Sequence, residues 1–434
     1  MSAARLRARW ILPVAAAPIA DGAVLIDDTG TIIAVGPHDT VPSPAGAASA
    51  DLGDVALMPG LVNTHAHLEL AALEGLVPNR TFRDWILRVR TLKDALTPDE
   101  LDASAAWGVL QSFAAGITTI GDTGSSGAPA AAMARLGARG VAYQEVFGPD
   151  PAQCAAALAG LVAAIDRLAA HASARVRIGV SPHAPYTVSA PLLAAVARLA
   201  GARGLPVAMH LAESLAEREL VQGGSGPFAD ALKARGIAFE SDGLTPVGWV
   251  RRSGLLDTRP LLIHCVQCDQ ADIGMMAAAG ARVAHCPHSN QELGHGRMSL
   301  AAMLGAGIWV GLGTDSVATG APVDLFREAR LARDNAQLEP PDAVAMMTTM
   351  GATALGVSGI GYLAPGGLAD LAAVDLRGHA DPFEAVLSAS PACVRGTWVA
   401  GRRVWDGADW PGRDGATCRA ASLRAGVRVR AALS

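Results

Sequence analysis

Eight short apolar runs, each ending in a His, Asp or Glu, constrain this chain more than any other feature. They occupy residues 61–67, 116–122, 141–145, 176–183, 206–210, 260–264, 281–285 and 308–315. Ala-, Leu- and Arg-rich stretches of helical spacing separate them. Strands that alternate with helices pair in parallel, and eight such units describe an α/β fold, a (β/α)8 TIM-type barrel. In that architecture the C-terminal strand ends share one face, where reacting groups gather. Here the runs end in His67, Asp122, Glu145, His183, His210, His264, His285 and Asp315.

The two ends of the chain differ from this middle. Residues 9–57 carry short strand patterns with Gly and Asp turns, among them two strands within 22–36 joined at Asp28, Thr29 and Gly30. Residues 366–407 have the same texture. The expectation is a small β-sandwich made by both ends, with the barrel inserted between them. Its first part would be 1–57, the barrel 58–365, and the second part 366–434 with a C-terminal tail. The Arg- and Ala-rich stretch from about 408 onward reads as a terminal helix or a loosely held tail.

Composition narrows the function. A net charge of −5 argues against a general nucleic-acid binder. With 51% apolar and 17% charged residues, a large core forms and global disorder is excluded. Gly, Pro, Arg or Asp interrupts every apolar stretch before about 18 residues, so no membrane span is expected. Arg5, Arg7 and Arg9 ahead of Trp10 imitate a secretory leader, but Pro13 and Pro18 break the run and a strand is the simpler reading. Six cysteines, with only the lone Cys265–Cys268 pair spaced as C-x-x-C, read as buried thiols. The expectation is a cytoplasmic enzyme with a small-molecule substrate, no nucleic-acid or membrane partner, and a homodimeric state.

Eleven histidines are present, and His65, His67, His183, His210, His264 and His285 fall at run ends, with His288 just beyond. A single strand-end histidine is usually structural; six on one barrel face suggest a metal. Residues i and i+2 of a strand point the same way, so His65 and His67 can share one ion. Imidazole and carboxylate suit Zn²⁺ or Fe²⁺, and the absence of cysteine at these ends suits an open catalytic site. His210 and Asp315 are the natural third and fourth ligands of one divalent ion per chain. Glu213, three residues past His210, returns over the ion if the strand turns into a helix, where a proton shuttle must stand.

Segments 58–67, 210–213, 262–266, 284–290, 311–315, 351–356 and 366–371 together resemble the amidohydrolase superfamily. They are most similar to its mononuclear branch of nucleoside and nucleobase deaminases and triazine chlorohydrolases. The resemblance implies that His65, His67, His210 and Asp315 hold the metal, that Glu213 carries protons to ring and leaving ammonia, and that His264 orients the attacking water. Asp315 would also accept a proton from that water. Binuclear members use a carboxylated Lys at a strand end; Lys93 and Lys233, the only lysines, match none. A partly desolvated Glu213 would have its pKa raised toward neutrality.

For the substrate, His183 resembles a substrate-contacting histidine of this branch, or it packs beside Pro182 and Pro185. Ser289 and Asn290 are pocket residues or loop caps. Phe82 and Trp85 open a segment after the first run, over the pocket. Its Arg83, Arg88 and Arg90 either grip a substrate carboxylate, Arg90 being the leading choice, or form a solvated helix face. The deaminases of adenosylhomocysteine carry a ribose-holding Glu in this region, close to where this chain has Lys93. The set is similar to aminodeoxyfutalosine deaminases of menaquinone biosynthesis, which act on an adenine nucleoside bearing a benzoate. Alternatives are deamination of adenosylhomocysteine, methylthioadenosine or guanine, and a triazine-type chlorohydrolase. A non-catalytic binding protein is disfavoured because all four metal ligands are present.

Overall fold

The computed structural model describes residues 3–77 and 81–432. The chain begins with five strands, β1 (Ala4–Ile11), β2 (Ile19–Ile26), β3 (Ile32–Pro37), β4 (Ala48–Asp51) and β5 (Val55–Pro59). Eight barrel strands follow: β6 (Leu61–Ala66), β7 (Ile117–Gly124), β8 (Arg139–Val146), β9 (Val176–Pro182), β10 (Ala208–Leu211), β11 (Leu261–His264), β12 (Arg282–His285) and β13 (Val310–Leu312). The chain returns to the first sheet with β14 (Leu371–Asp375), β15 (Val394–Val399) and β16 (Arg402–Trp405).

The two ends do pair. The sheet order is β16-β15-β14-β5-β1-β2-β3, with β4 alongside β1. The join is antiparallel, with Leu57 opposite Ala373. The sheet curls on itself: the Ile32 N–H donates to the Gly367 carbonyl at 2.8 Å, and Thr31 bridges Leu368. Inside the curl, Leu6, Ile11, Val24 and Leu57 from one end meet Leu371 and Trp398 from the other. Neither end buries its apolar face alone, which is the physical reason the barrel is an insertion.

All eight predicted runs are barrel strands. β6 to β9 and β10 to β13 form two parallel series, closed by bridges between Val180 and Val207 and between Ala66 and Asp315. Val62, Val141, Tyr143, Ala208, Leu261, Ile263, Ala284 and Cys286 fill the axis, and Ala352, Ala354 and Leu355 of the helix Thr349–Leu355 plug its lower end. One buried ion pair ties barrel to sheet. Arg139 on β8 donates from Nε and Nη2 to the two carboxylate oxygens of Asp370 at 2.6 and 3.1 Å.

The chain's last stretch is not a loose tail. Gly415–Ala432 is helical, and Ala425 and Val429 pack with Leu70, Leu73 and Leu92. Arg428 pairs with Glu100. Gly426 lies so close to the Ala72 carbonyl that a Cβ would stand 2.3 Å from its oxygen. One apolar helix bears on the expectation of no membrane span, although Asp166 and Arg167 interrupt it. The 151–171 stretch is long and apolar enough to cross a membrane by length and composition. Within it, the helix Cys154–Leu168 buries Leu161, Ile165 and Leu168, as a barrel-wall helix does.

Candidate metal centre

The mouth of the barrel gathers the predicted ligands. A register shift in β6 between Asn63 and Ala66 re-aims the strand so that His65 and His67 both face the axis. His65 Nε2 and His67 Nε2 stand 3.3 and 3.4 Å from Asp315 Oδ1. Ligand atoms of His65, His67 and His210 lie within 4.8 Å of one another. Both ring nitrogens of His65 are buried without a hydrogen-bond partner. Such orphans are costly unless something else satisfies them, and a cation would. Burial lowers the His65 pKa to about 4, against a smaller opposing pull from Asp315, and burial holds His210 well below its usual value. Both rings are therefore neutral, the form that binds metal. Burial pushes the Asp315 carboxyl up, but His65, His264 and His67 outweigh it and leave it well below the usual range.

Neighbouring groups orient each ligand. His67 Nδ1 meets the Thr123 carbonyl at 2.9 Å and His210 Nδ1 the His183 carbonyl at 3.2 Å, which leaves Nε2 of each for the ion. Asp315 has a left-handed φ of 56° and accepts from Ser289 Oγ at 2.5 Å and from the Ser316 N–H at 2.8 Å. A triangle of Glu145, His183 and His210 also has metal-like spacing. His210 has no second free nitrogen, however, so it does not serve two ions.

Glu213 follows from a strained turn. Ala212 has φ 51°, and the fully buried Glu217 accepts the Ala212 and Glu213 N–H groups at 2.7 and 3.1 Å. The sequence reading missed Glu217; a second acid four residues after Glu213 was its only signal. The Glu213 side chain is 4% exposed, with Oε1 3.6 Å from His264 Nε2 and 3.2 Å from His295 Nε2. Burial pushes its pKa up, but His264 and His295 bring it net below the usual value, opposite to the expected direction. Strand alternation would aim His264 away from the axis, since Leu261 and Ile263 already face it. Left-handed φ values of 72° at His264 and 49° at Cys265 turn the ring inward.

The remaining predicted residues are distributed unevenly. Asn290 is buried against His264, Oδ1 to Nδ1 at 2.9 Å, so it orients that ring. His183 is at the mouth, Nδ1 on Thr187 Oγ1 at 2.8 Å, its ring 4.8 Å from Phe147 and 4.9 Å from His210. Trp85 donates from Nε1 to the Ala318 carbonyl at 3.3 Å, tethering its helix to the loop after β13. Arg90 is not brought in: its side chain is 72% exposed and pairs with Asp94 one turn on, and Arg83 is exposed as well. The helix Phe82–Asp94 turns these arginines to solvent and presents Phe82 and Lys93 instead. Lys93 pairs with the buried Glu69 and donates to Ser125 Oγ at 2.8 Å. His285 departs too. Ala284 and Cys286 face the axis, so His285 between them turns outward, into a cavity shared with Gln291, Arg297, Leu331, Asp334 and Asn335.

Residues 56–404 match the model of the amidohydrolase family. The chain belongs to that family. This amidohydrolase is 35% identical over 373 residues to a 5-methylthioadenosine/S-adenosylhomocysteine deaminase of Nitratidesulfovibrio vulgaris, covering 83% of this chain and 80% of the relative. Among solved structures it resembles an adenosine deaminase from Xanthomonas campestris with bound zinc, at a TM-score of 0.86, 25% identity and 98% coverage of both chains. It shares the fold of Helicobacter pylori aminofutalosine deaminase at a TM-score of 0.79 and 18% identity, over 93% of this chain and all of the other.

Proposed function

We propose that this amidohydrolase hydrolytically deaminates an adenine-type nucleoside. One divalent ion per chain, zinc with iron as the alternative, is held by His65, His67, His210 and Asp315. When bound, the ion supplies a Lewis acid and a water acidified from pKa 15.7 toward about 7. The chain's own residues do the rest. An aromatic C–NH2 carbon is a poor electrophile until a ring nitrogen is protonated. Glu213 takes a proton from the attacking water and passes it to that nitrogen; once emptied, it relays the second water proton, handed on by Asp315, to the departing amine. His264, fixed by Asn290, orients the water, and Asp315 accepts its remaining proton. The observation that carries this reading is a buried carboxylate, Glu213, 3.6 Å from Nε2 of His264, a ring that itself clusters with His65 and Asp315. A chloride leaving group would not need such an acid, so deamination is favoured over dehalogenation.

The finer choice is between a benzoate-bearing nucleoside, 6-aminodeoxyfutalosine, and one with a thioether 5′ group such as methylthioadenosine or adenosylhomocysteine. The first was motivated by the arginines of the 81–93 segment. Arg83 and Arg90 face solvent, and the buried cation nearby, Lys93, is already engaged by Glu69; of the three arginines only Arg88, half-buried on the same helix, is left to meet a carboxylate. The thioether class ranks first on these grounds and in line with the curated relative. Ammonia release from methylthioadenosine, adenosylhomocysteine, adenosine, 6-aminodeoxyfutalosine and guanine tests this. Fastest turnover is expected on a thioether nucleoside. A preference for 6-aminodeoxyfutalosine would restore the carboxylate reading, and release from none would reject the deaminase.

A further inference from the structure

His295 has no part in the reading above, yet it stands on the proton shuttle. It lies past β12, in the loop that follows the helix Pro287–Glu292. Its side chain is 3% exposed. Its backbone is fixed at both ends: its N–H donates to the Asn290 carbonyl at 2.8 Å, and its carbonyl accepts from Gln267 Nε2 at 2.7 Å. Phe82, the first residue of the helix over the mouth, packs edge-to-face on the ring at 4.4 Å. So braced, the ring holds Nε2 3.2 Å from Glu213 Oε1. The approach is off the line of a hydrogen bond, and Nε2 has no other partner among the described residues. A buried N–H without a partner is costly, and Glu213 is the acceptor within reach of a small rotation.

We propose that His295 is a positioning residue that commits one oxygen of Glu213 and leaves the other to carry the transferable proton. This rests on Glu213 being the shuttle. A free carboxylic acid can present its proton from either oxygen and rotate about its last bond. With His295 donating from Nε2 to Oε1, that oxygen stays an acceptor. Each proton that Glu213 carries then resides on Oε2: the first passes from water to the ring nitrogen, and the second, the remaining hydroxyl proton handed on by Asp315, passes to the amine. His295 keeps its own proton throughout, so the number of transferred protons is unchanged. Phe82 couples the arrangement to the covering helix: when that helix is seated, the His295 ring cannot swing away from Glu213.

The test compares His295→Ala and His295→Gln with the wild type as metal-loaded full-length protein, with melting temperature and metal content measured on each. The alanine variant is expected to keep its metal and lose about 10- to 100-fold in kcat with KM within about threefold. Glutamine, which retains an N–H donor, is expected to recover most of the loss. A kcat unchanged by alanine, or equal losses in both variants, overturns the proposal. A readout independent of turnover separates its failure from that of the deaminase reading. The carboxylate infrared band that disappears in Glu213→Gln is expected to shift in His295→Ala and return in His295→Gln. An unshifted band overturns the proposal even if no nucleoside is a substrate.

Discussion

Glu213 is reached by imidazoles on one side and by backbone constraint on the other, since Glu217 holds the two N–H groups that set its turn. Its amide replacement therefore fits the same space without the proton. Glu213→Gln is expected to retain the metal and lose about 10²–10⁴-fold in deamination, the usual size of general acid–base catalysis; ammonia release beside elemental analysis checks both halves. The ligands give a second expectation. Purified protein is expected to carry about one Zn²⁺ or Fe²⁺ per chain, and Asp315→Ala to lose it with the fold kept, as read by elemental analysis and circular dichroism. Two ions per chain would contradict the four-ligand site. At this scale the sequence was a good guide to which side chains meet at the barrel mouth wherever chemistry and spacing agree, as at His65, His67, His210 and Asp315. It was a poor guide where the backbone departs from alternation. Nothing in a residue string announces the left-handed φ that brings His264 in. His285, which looks identical in pattern, keeps regular alternation and turns away. His295 was invisible because it lies in a loop with no periodicity to place it.

Elements decide what the pocket residues become. The 81–93 segment is legible as a helix: Thr81 caps it by accepting the Asp84 N–H at 3.3 Å. Which face it buries was not legible, because its hydrophobic positions are answered by partners distant in sequence, Leu73, Ala318 and Val429 among them. That choice sends Arg90 to solvent. The short helix Pro287–Glu292 shows the same dependence. It carries Ser289 and Asn290, which orient Asp315 and His264, and its His288 N–H is held by Glu328 Oε2 at 2.9 Å. Glu328 belongs to the helix Leu325–Ala336 and is fully buried, and burial raises its pKa from 4.5 to about 8. Between those values the folded chain holds a proton that the unfolded chain has released. Stability therefore falls as pH rises through this window, by up to about 1.4 kcal/mol per pH unit, and levels off above it. Glu328→Gln is expected to flatten part of that slope in urea unfolding at pH 5, 6.5 and 8. Glu217, raised to about 8 by burial as well, retains its own share.

For the whole molecule, the joint between sheet and barrel rests on few groups, and Asp370 is the most exacting. It takes both arms of Arg139 and also the Ala400 N–H at 2.8 Å. Asp370→Ala leaves a buried guanidinium unpaired, and a loss of about 3–5 kcal/mol in unfolding free energy is expected, measured by chemical denaturation. Asp370 lies in one of the segments that carried the family resemblance, so its importance was readable from sequence while its partner was not: the two are 231 residues apart. The terminal helix has the same kind of reach, since Gly426 closes on Ala72, a few residues beyond the first two ligands. That contact sets an order of events during synthesis. His65 and His67 leave the ribosome before Asp315, which bridges back to β6 only after the last barrel strand is made, and the helix bracing the segment beyond His67 is translated later still. A nascent chain thus exposes half the candidate site until β13 is made. If the four proposed ligands hold an ion, its full capture is timed by the synthesis of β13 rather than by the appearance of the first histidines.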